Sequence, residues 1–155
     1  MSETIFAPEG KMNRAMVVMV LYRMAGSPAV EGELPFTDVP TGAYYDDALY
    51  WAYTNGIAEG VTDTLFRPTK DVTREQLVTF LYRYAEFAGM DVSGSADLTA
   101  FADGAGVSGY ARPAMAWAVN AGLINGVGNN TLAPQSTATR AQFAATVQRL
   151  VNLAG

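Results

Sequence analysis

The sequence contains no histidine and no cysteine. Their absence excludes thiol and imidazole nucleophiles, imidazole general bases, disulfides and the usual ligands of zinc, copper, haem and iron–sulfur centres. Charged residues make up 16% of the chain, against about 25% in a typical soluble domain. Hydrophobic residues make up 50%, so we expect a compact fold with a largely uncharged surface rather than disorder. The composition predicts neither a metal site nor a cofactor.

Positive charge is also scarce, because the 155 residues carry 10 Lys and Arg against 15 Asp and Glu, a formal net charge of -5. Nucleic-acid binding rests mainly on clustered basic residues, so this balance argues against a nucleic-acid partner. The longest unbroken apolar run, Ala15 to Tyr22, is far shorter than the roughly 18 residues that suggest a membrane span. The N-terminus lacks a basic segment followed by an apolar stretch and a small-residue cleavage site, so the sequence predicts no signal peptide.

Internal repeats are the most informative feature of the sequence. Three blocks align without gaps around Arg14, Arg74 and Arg140, which lie 60 and then 66 positions apart (74 − 14 and 140 − 74). The blocks read IFAPEGKMNRAMVVMVLYR, LFRPTKDVTREQLVTFLYR and TLAPQSTATRAQFAATVQR. A proline keeps the same phase in all three blocks, at Pro8, Pro68 and Pro134.

A second block precedes only the last two arginine blocks. It covers residues 36–60 and recurs over residues 101–126, with Trp51 and Trp117 again 66 positions apart (117 − 51). Stretches containing Gly, Pro and Ser separate the repeats and are typical of linkers. The sequence thus predicts half a repeat followed by two whole repeats, over residues 1–26, 36–89 and 99–155.

Each whole repeat is predicted to form two helices around a structured loop. The first helix bears the tryptophan and starts at Asp46 or Asp47 in one copy and at Pro113 in the other. Gly56 and Gly122 follow the last periodic residue and suit the left-handed C′ position that ends a helix. We therefore expect two short Trp-bearing helices that stop at these glycines.

The second helix of each repeat opens with a capping box, Thr73-Arg-Glu-Gln76 or Thr139-Arg-Ala-Gln142. In such a box the Thr hydroxyl accepts an amide N–H and the Gln side chain reaches back, which places Arg74 and Arg140 at the first helical position. Apolar residues at helical spacing predict a buried face on these helices and on the helix of the half repeat. They are Leu77, Leu81, Tyr84 and Ala88, then Phe143, Val147 and Leu150, and finally Val17, Val20, Leu21 and Met24.

Several motifs follow one another in a fixed order along the first whole repeat. They read Phe36-Thr-Asp-Val39, Trp51, Gly56-Ile-Ala-Glu-Gly60, Phe66-Arg-Pro68 and Thr73-Arg-Glu-Gln76. In this order they resemble the repeats of the S-layer homology domains, a family that holds proteins on the bacterial cell wall. The resemblance covers nearly the whole chain.

Three motifs depart from the family pattern. Phe101-Ala-Asp-Gly104 lacks the Val, Thr139-Arg-Ala-Gln142 has Gln for Glu, and Asn13-Arg-Ala-Met16 has neither the Thr nor the acidic end. We therefore expect the half repeat to form a weakened site.

The resemblance implies an all-α fold of helix-loop-helix repeats packed as a pseudo-threefold bundle, with the Trp-bearing helices at its centre. It implies a non-catalytic module that binds secondary cell-wall polysaccharide non-covalently, commonly through a pyruvylated amino-sugar, in grooves beside the T-R helix starts. It also implies an extracellular location at the bacterial cell wall or S-layer. Because the half repeat lacks its own Trp-bearing helix, the bundle would miss one central helix, which favours homo-oligomerisation or domain exchange.

The resemblance also suggests candidate glycan-binding residues. A pyruvyl ketal carries a carboxylate, and a guanidinium at a helix N-terminus offers two coplanar donors and the positive end of the helix dipole. We therefore expect Arg74 and Arg140, with Arg14 third, to bind the carboxylate. The remaining candidates are Trp51 and Trp117 to line or support the grooves, Asp38 and Asp103 to fix loop backbone or accept sugar hydroxyls, and the capping residues Thr73, Thr139, Gln76 and Gln142.

Other interpretations of these residues stand beside this one. Large aromatic residues at helical spacing are usually core, so we expect both tryptophans to be buried rather than to touch a ligand directly. Capping alone accounts for the Thr and Gln residues of the two boxes. A protein-interaction or self-assembly module would instead use a Tyr-rich, charge-poor surface around Tyr44, Tyr45, Tyr50, Tyr53 and Tyr110. A glycan hydrolase would need two acids that flank one bond, and the eligible residues are Asp38, Asp103, Glu59 and Glu75.

Overall fold

The structure, a computed structural model, describes residues 10–40, 42–124 and 130–154, and for residue 154 it describes the backbone alone. Pro8 therefore lies outside the described residues. Within them the chain forms five α-helices, and no strand longer than an isolated β-bridge. The all-α fold class predicted from the sequence is confirmed. None of the described helices has the length and apolar character that crossing a membrane requires. The helices are α1 Arg14–Met24, α2 Asp46–Thr54, α3 Arg74–Phe87, α4 Arg112–Asn120 and α5 Arg140–Ala154.

The chain divides into two compact units, here called the first and second units. The first unit, Asn13–Asp71, holds α1 and α2, and the second unit, residues up to 12 and from 72 onward, holds α3, α4 and α5. Ring centroids of Tyr22 and Trp51 lie 5.7 Å apart in the first unit, and those of Tyr82 and Trp117 lie 5.6 Å apart in the second. In the first unit α1 thus packs on α2, and in the second unit α3 packs on α4. In both cases the second helix of one repeat packs on the Trp-bearing helix of the following repeat, so these helix pairs do not coincide with the sequence repeats.

Both Trp-bearing helices end as the glycines predict. Gly56 has φ +74° and Gly122 has φ +79°, the left-handed conformation that glycine adopts without steric cost. The N–H of Ile57 donates to the carbonyl of Ala52 (2.8 Å), and the N–H of Gly56 to that of Tyr53 (3.3 Å), which is the Schellman pattern. The same two bonds recur after Gly122, from the N–H groups of the glycine and of the residue that follows it.

The predicted capping boxes are also present. The N–H of Gln76 donates to Thr73 Oγ1 (3.3 Å) and the N–H of Thr73 donates to Gln76 Oε1 (3.0 Å). The corresponding distances between Thr139 and Gln142 are both 3.0 Å. The predicted apolar face of α3 was wrong at its end, because Ala88 follows the last helical residue as the C-cap and is exposed.

Three backbone segments of the second unit meet in a closed ring of hydrogen bonds. The N–H of Met12 donates to the carbonyl of Ala138 (3.2 Å), that of Ala138 to Val72 (2.9 Å), and that of Val72 to Met12 (2.9 Å). All three residues are buried, and each stands two positions before the arginine of its block. The ring satisfies polar groups that burial removes from water, and it gives the threefold sequence repeat a local threefold counterpart in the backbone.

Candidate functional site

In each whole repeat an aspartate holds the loop that precedes the helix starting at Arg74 or Arg140. Asp38 accepts the N–H of Phe66 at Oδ1 (2.9 Å) and the next N–H, that of residue 67, at Oδ2 (2.7 Å). Asp103 accepts the N–H of Leu132 (2.7 Å) and that of Ala133 (2.9 Å) in the same way. Of the two roles expected for these carboxylates, the structure shows that they fix the loop backbone.

The two loops held by these aspartates have the same backbone design. Arg67 (φ +59°) and Ala133 (φ +51°) both adopt the left-handed conformation, which costs a non-glycine residue about 1–2 kcal/mol. The N–H of Lys70 then donates to the carbonyl of Arg67 (3.1 Å), and the N–H of Ser136 to that of Ala133 (3.2 Å). A proline occupies the second position of each turn, where its fixed φ is favourable. The loops therefore differ mainly in their side chains.

Two of the predicted carboxylate-binding arginines also contact these loops, through main-chain carbonyls. Arg14 is 7% exposed; its Nε donates to the carbonyl of Phe66 (2.8 Å), a terminal nitrogen donates to that of Glu59 (2.6 Å), and the guanidinium carbon lies 4.4 Å from the Phe66 ring centroid. Arg74 is 4% exposed, and its Nε donates to the carbonyl of Leu132 (2.8 Å). These guanidinium groups thus contact main-chain carbonyls inside the protein.

The electrostatics of the second unit fit this arrangement. Burial lowers the pKa of the Arg74 guanidinium, and the nearby charge of Asp103 opposes that shift. The pKa of Asp103 lies below its ordinary value, mainly because the N–H of Leu132 donates to its carboxylate. Arg74 and Asp103 therefore both bind the loop at residues 132–133, the arginine through a carbonyl and the aspartate through two N–H groups.

The remaining predicted residues have the following places. Arg140 is half-buried at the start of α5, and its backbone N–H donates to the carbonyl of Gly10 (2.7 Å). Trp51 and Trp117 are 3% and 2% exposed and pack against tyrosine rings, as core residues do. Contact of the arginines or tryptophans with a glycan stays a prediction.

The first unit contains a pocket of about 570 Å³ beside the loop held by Asp38, within the size range of small-ligand sites. Burial, followed by the charges of Tyr44, Asp38 and Asp46, raises the pKa of the Tyr45 phenol, so it keeps its proton and can donate. The two cations of this pocket, Arg67 and Lys70, were not among the residues predicted from the sequence. The available signal was that two of the few basic residues of the chain flank the same Pro-Thr pair. The lining residues are Asp38, Pro40, Tyr45, Arg67, Pro68, Thr69 and Lys70.

Two of the four acids eligible for hydrolysis, Asp103 and Glu75, are engaged in hydrogen bonds within the protein. The pKa of Asp103 is lowered, and Glu75 is buried with its carboxylate accepting hydrogen bonds from Ser108 N (2.9 Å) and Ser108 Oγ (2.6 Å). Among the described residues, no group of three or more His, Cys, Asp or Glu side chains is placed to hold a metal ion.

The proposed tyrosine surface is only partly exposed. Tyr44 and Tyr110, at equivalent positions of the two whole repeats, are 75% and 55% exposed, whereas Tyr45 is buried. Tyr50 is half-buried and Tyr53 is exposed.

The known proteins that this chain is similar to match most of its length, but the match covers only a small part of their own length. It is 31% identical over 155 residues to an amylopullulanase of Thermoanaerobacterium thermosulfurigenes, covering 100% of this chain and 8% of that protein. It is 35% identical over 124 residues to a surface-layer 125 kDa protein of Lysinibacillus sphaericus, covering 78% and 10%. It is 25% identical over 150 residues to a cellulosome-anchoring protein of Acetivibrio thermocellus, covering 94% and 33%. The chain thus spans a third or less of these relatives.

A solved structure, an undecaheme cytochrome from the S-layer of Carboxydothermus ferrireducens, matches 98% of this chain and 23% of its own with a TM-score of 0.45 and 19% identity, a likeness too weak to carry an argument. The sequence profile of the S-layer homology domain matches residues 35–78 and 100–144. Since these two matches cover more than half of the chain, the protein belongs to the family of S-layer homology domains.

Proposed function

We propose that this chain is a non-catalytic module that anchors the protein carrying it to the bacterial cell surface by binding cell-wall polysaccharide non-covalently. The observation that carries the proposal is the set of proteins that share the segment. A surface-layer protein and a cellulosome-anchoring protein share it with an amylopullulanase. One of these names states a surface layer and another states anchoring, so attachment at the cell surface is the common purpose that we propose for the shared segment.

The ligand we propose is a secondary cell-wall polysaccharide that carries pyruvyl ketals. The pocket of the first unit supports an acidic sugar, because it combines two cations, a protonated phenol and apolar proline rings. Charged groups would pair with the ketal carboxylate, and ring faces would pack on the sugar. A net charge of -5 does not oppose such binding, because the attraction is local and paired rather than a field of the whole protein.

The predicted site residues then act in two ways. Asp38, Asp103, Arg14 and Arg74 shape the loops through the hydrogen bonds described above. The two tryptophans support the helices behind those loops, and the capping boxes fix the helix starts. Arg140, half-buried at the start of α5, is the alternative partner for the ligand's carboxylate.

Co-sedimentation with purified cell-wall sacculi tests this function. The full chain is mixed with sacculi that retain their secondary polysaccharide and with sacculi from which it has been removed by hydrofluoric acid. We expect the chain to pellet with the first and to stay in solution with the second. Equal binding to both preparations would contradict polysaccharide recognition.

The alternative function is a self-assembly module, and it is favoured by the exposure of Tyr44 and Tyr110. Light scattering at low and high salt distinguishes the two functions. Salt-insensitive association in solution, together with no binding to either wall preparation, would place self-assembly first.

A further inference from the structure

We infer that the acidic group of the ligand is held by Arg67 and Lys70 in the first unit, and that the equivalent loop of the second unit lacks this capacity. The inference rests on the proposed function and assigns the residues that recognise the ligand's carboxylate. It differs from the expectation for the T-R arginines, two of which are buried against main-chain carbonyls.

The backbone brings the two cations together. Arg67 and Lys70 occupy the first and last positions of one turn, closed by the hydrogen bond from the N–H of Lys70 to the carbonyl of Arg67 (3.1 Å). The carbonyls of Pro68 and Lys70 accept the N–H groups of Ala15 (2.9 Å) and Arg14 (3.0 Å), which fix the turn on the start of α1. Asp38 fixes its beginning. The pair is therefore placed by a turn whose backbone is hydrogen-bonded to α1 and to Asp38.

Both side chains are available to a ligand. Arg67 and Lys70 are exposed and line the pocket of about 570 Å³. Within the part of the chain that the structure describes, neither side chain forms an ion pair or a side-chain hydrogen bond. Asp38, the one acid among the lining residues, already accepts two backbone N–H groups. The pocket thus has two cations and one carboxylate that is already hydrogen-bonded to the backbone, which favours an anionic partner. A guanidinium suits a carboxylate because its donors are coplanar.

The second unit provides an internal comparison. Its loop has the same left-handed residue and turn, and the same aspartate clasp, by which we mean an aspartate that accepts two successive backbone N–H groups of the loop. However, Ala133 stands where the first unit has Arg67, and Ser136 where it has Lys70. Tyr45 is replaced by the buried Ala111, 66 positions on. The same fold is therefore built without any of the three polar groups, so these groups are not needed for the fold of the loop.

The test compares two matched double variants of the full chain. Arg67→Ala with Lys70→Ser gives the first loop the side chains of the second at these two positions, and Ala133 shows that alanine is accommodated at this φ. Arg23→Ala with Lys11→Ser removes the same charge from other exposed positions. Since all four residues are exposed, neither variant should lose its fold, which circular dichroism checks.

The probe is a synthetic amino-sugar glycoside carrying a pyruvyl ketal, and its control is the same glycoside without the ketal. Calorimetry should show at least about tenfold weaker binding of the ketal probe by Arg67→Ala, Lys70→Ser, because hydrogen bonds between charged groups are lost. Binding of the ketal-free glycoside should stay within about twofold, and the Arg23→Ala, Lys11→Ser variant should match wild type. Backbone amide shifts should change over residues 38–70 and not over residues 103–136.

Three outcomes would overturn the assignment. Equally weakened binding of the ketal probe by both double variants would indicate an effect of bulk charge, and unchanged binding by Arg67→Ala, Lys70→Ser would show that these residues do not hold the ligand. The third is that Arg140→Ala loses the preference for the ketal while Arg67→Ala, Lys70→Ser keeps it. In each of these the wild-type chain still prefers the ketal, so the proposed function survives. If wild type binds neither glycoside and no cell wall, the proposed function itself fails.

Discussion

The aspartate clasp of the second unit yields a quantitative prediction. Asp103→Asn keeps the size of the side chain but leaves one acceptor oxygen for the two N–H groups that the carboxylate accepts at 2.7 and 2.9 Å. A hydrogen bond to a charged group contributes about 1.5–3 kcal/mol and a neutral one about 0.5–1.5 kcal/mol. One bond is lost and the other loses its charge. Because Asp103 is only half-buried, water replaces part of the loss.

We therefore expect Asp103→Asn to lower the free energy of unfolding by about 2 kcal/mol. For a chain of this length that corresponds to about 4–8 °C in Tm. Scanning calorimetry measures the shift, and hydrogen exchange of the Leu132 and Ala133 amides shows whether the loss arises at the clasp. Asp63→Asn, which neutralises an exposed acid in the first unit, is the control and should stay within about 0.5 kcal/mol of wild type. An unchanged Tm with unchanged protection of both amides would refute the clasp.

The remaining predictions concern pH, packing and capping. The pKa of Asp103 is lowered in the folded state, so its contribution is present above the unfolded pKa of about 3.9 and is lost as pH falls through the folded value. Urea unfolding should thus show the gap between wild type and Asp103→Asn narrowing below about pH 4, and a gap that widens would contradict this sign. Gly60→Ala places a Cβ in steric overlap with the Thr62 carbonyl oxygen and the Phe36 ring, so thermal unfolding should show a loss of about 2 kcal/mol. Gly106→Ala, whose Cβ meets nothing within 4 Å, should show little loss, and equal losses would dismiss the steric reason. Thr73→Ala removes a helix cap and should lower the free energy of unfolding, measured in urea, by about 1 kcal/mol. An unchanged free energy of unfolding would contradict a stabilising role of the capping box.

Features set by local rules could be predicted from the sequence. The capping boxes depend on a Thr and a Gln three residues apart, and the helix stops depend on a glycine that adopts positive φ at Gly56 and Gly122. Burial of the two tryptophans follows from helical spacing. Ala88 shows the limit, since spacing alone does not tell where α3 ends.

The targets of the arginines could not be predicted in this way. The first position of a helix suggests an exposed residue beside the positive end of the dipole. Arg14 and Arg74 are instead covered by loops 52 and 58 residues further along the chain, whose carbonyls they contact. Only tertiary packing brings those partners together, so no local pattern reports them.

The cations at Arg67 and Lys70 were missed for a different reason. The blocks are recognised by the residues that they share. At the position of Arg67 the other blocks have Ala7 and Ala133, and at the position of Lys70 they have Gly10 and Ser136. A residue pair found in one block carries no repeat signal. The proline between them does predict the turn, so the turn was accessible to sequence reasoning and the pocket beside it was not.

The most direct test of the central claim is binding of the full chain to intact cell-wall sacculi before and after mild acid removal of pyruvyl ketals. We expect the chain to pellet with untreated walls and to lose most of that binding after treatment, because the carboxylate that the cations recognise is gone. Undiminished binding to ketal-free walls would contradict recognition of an acidic wall polysaccharide.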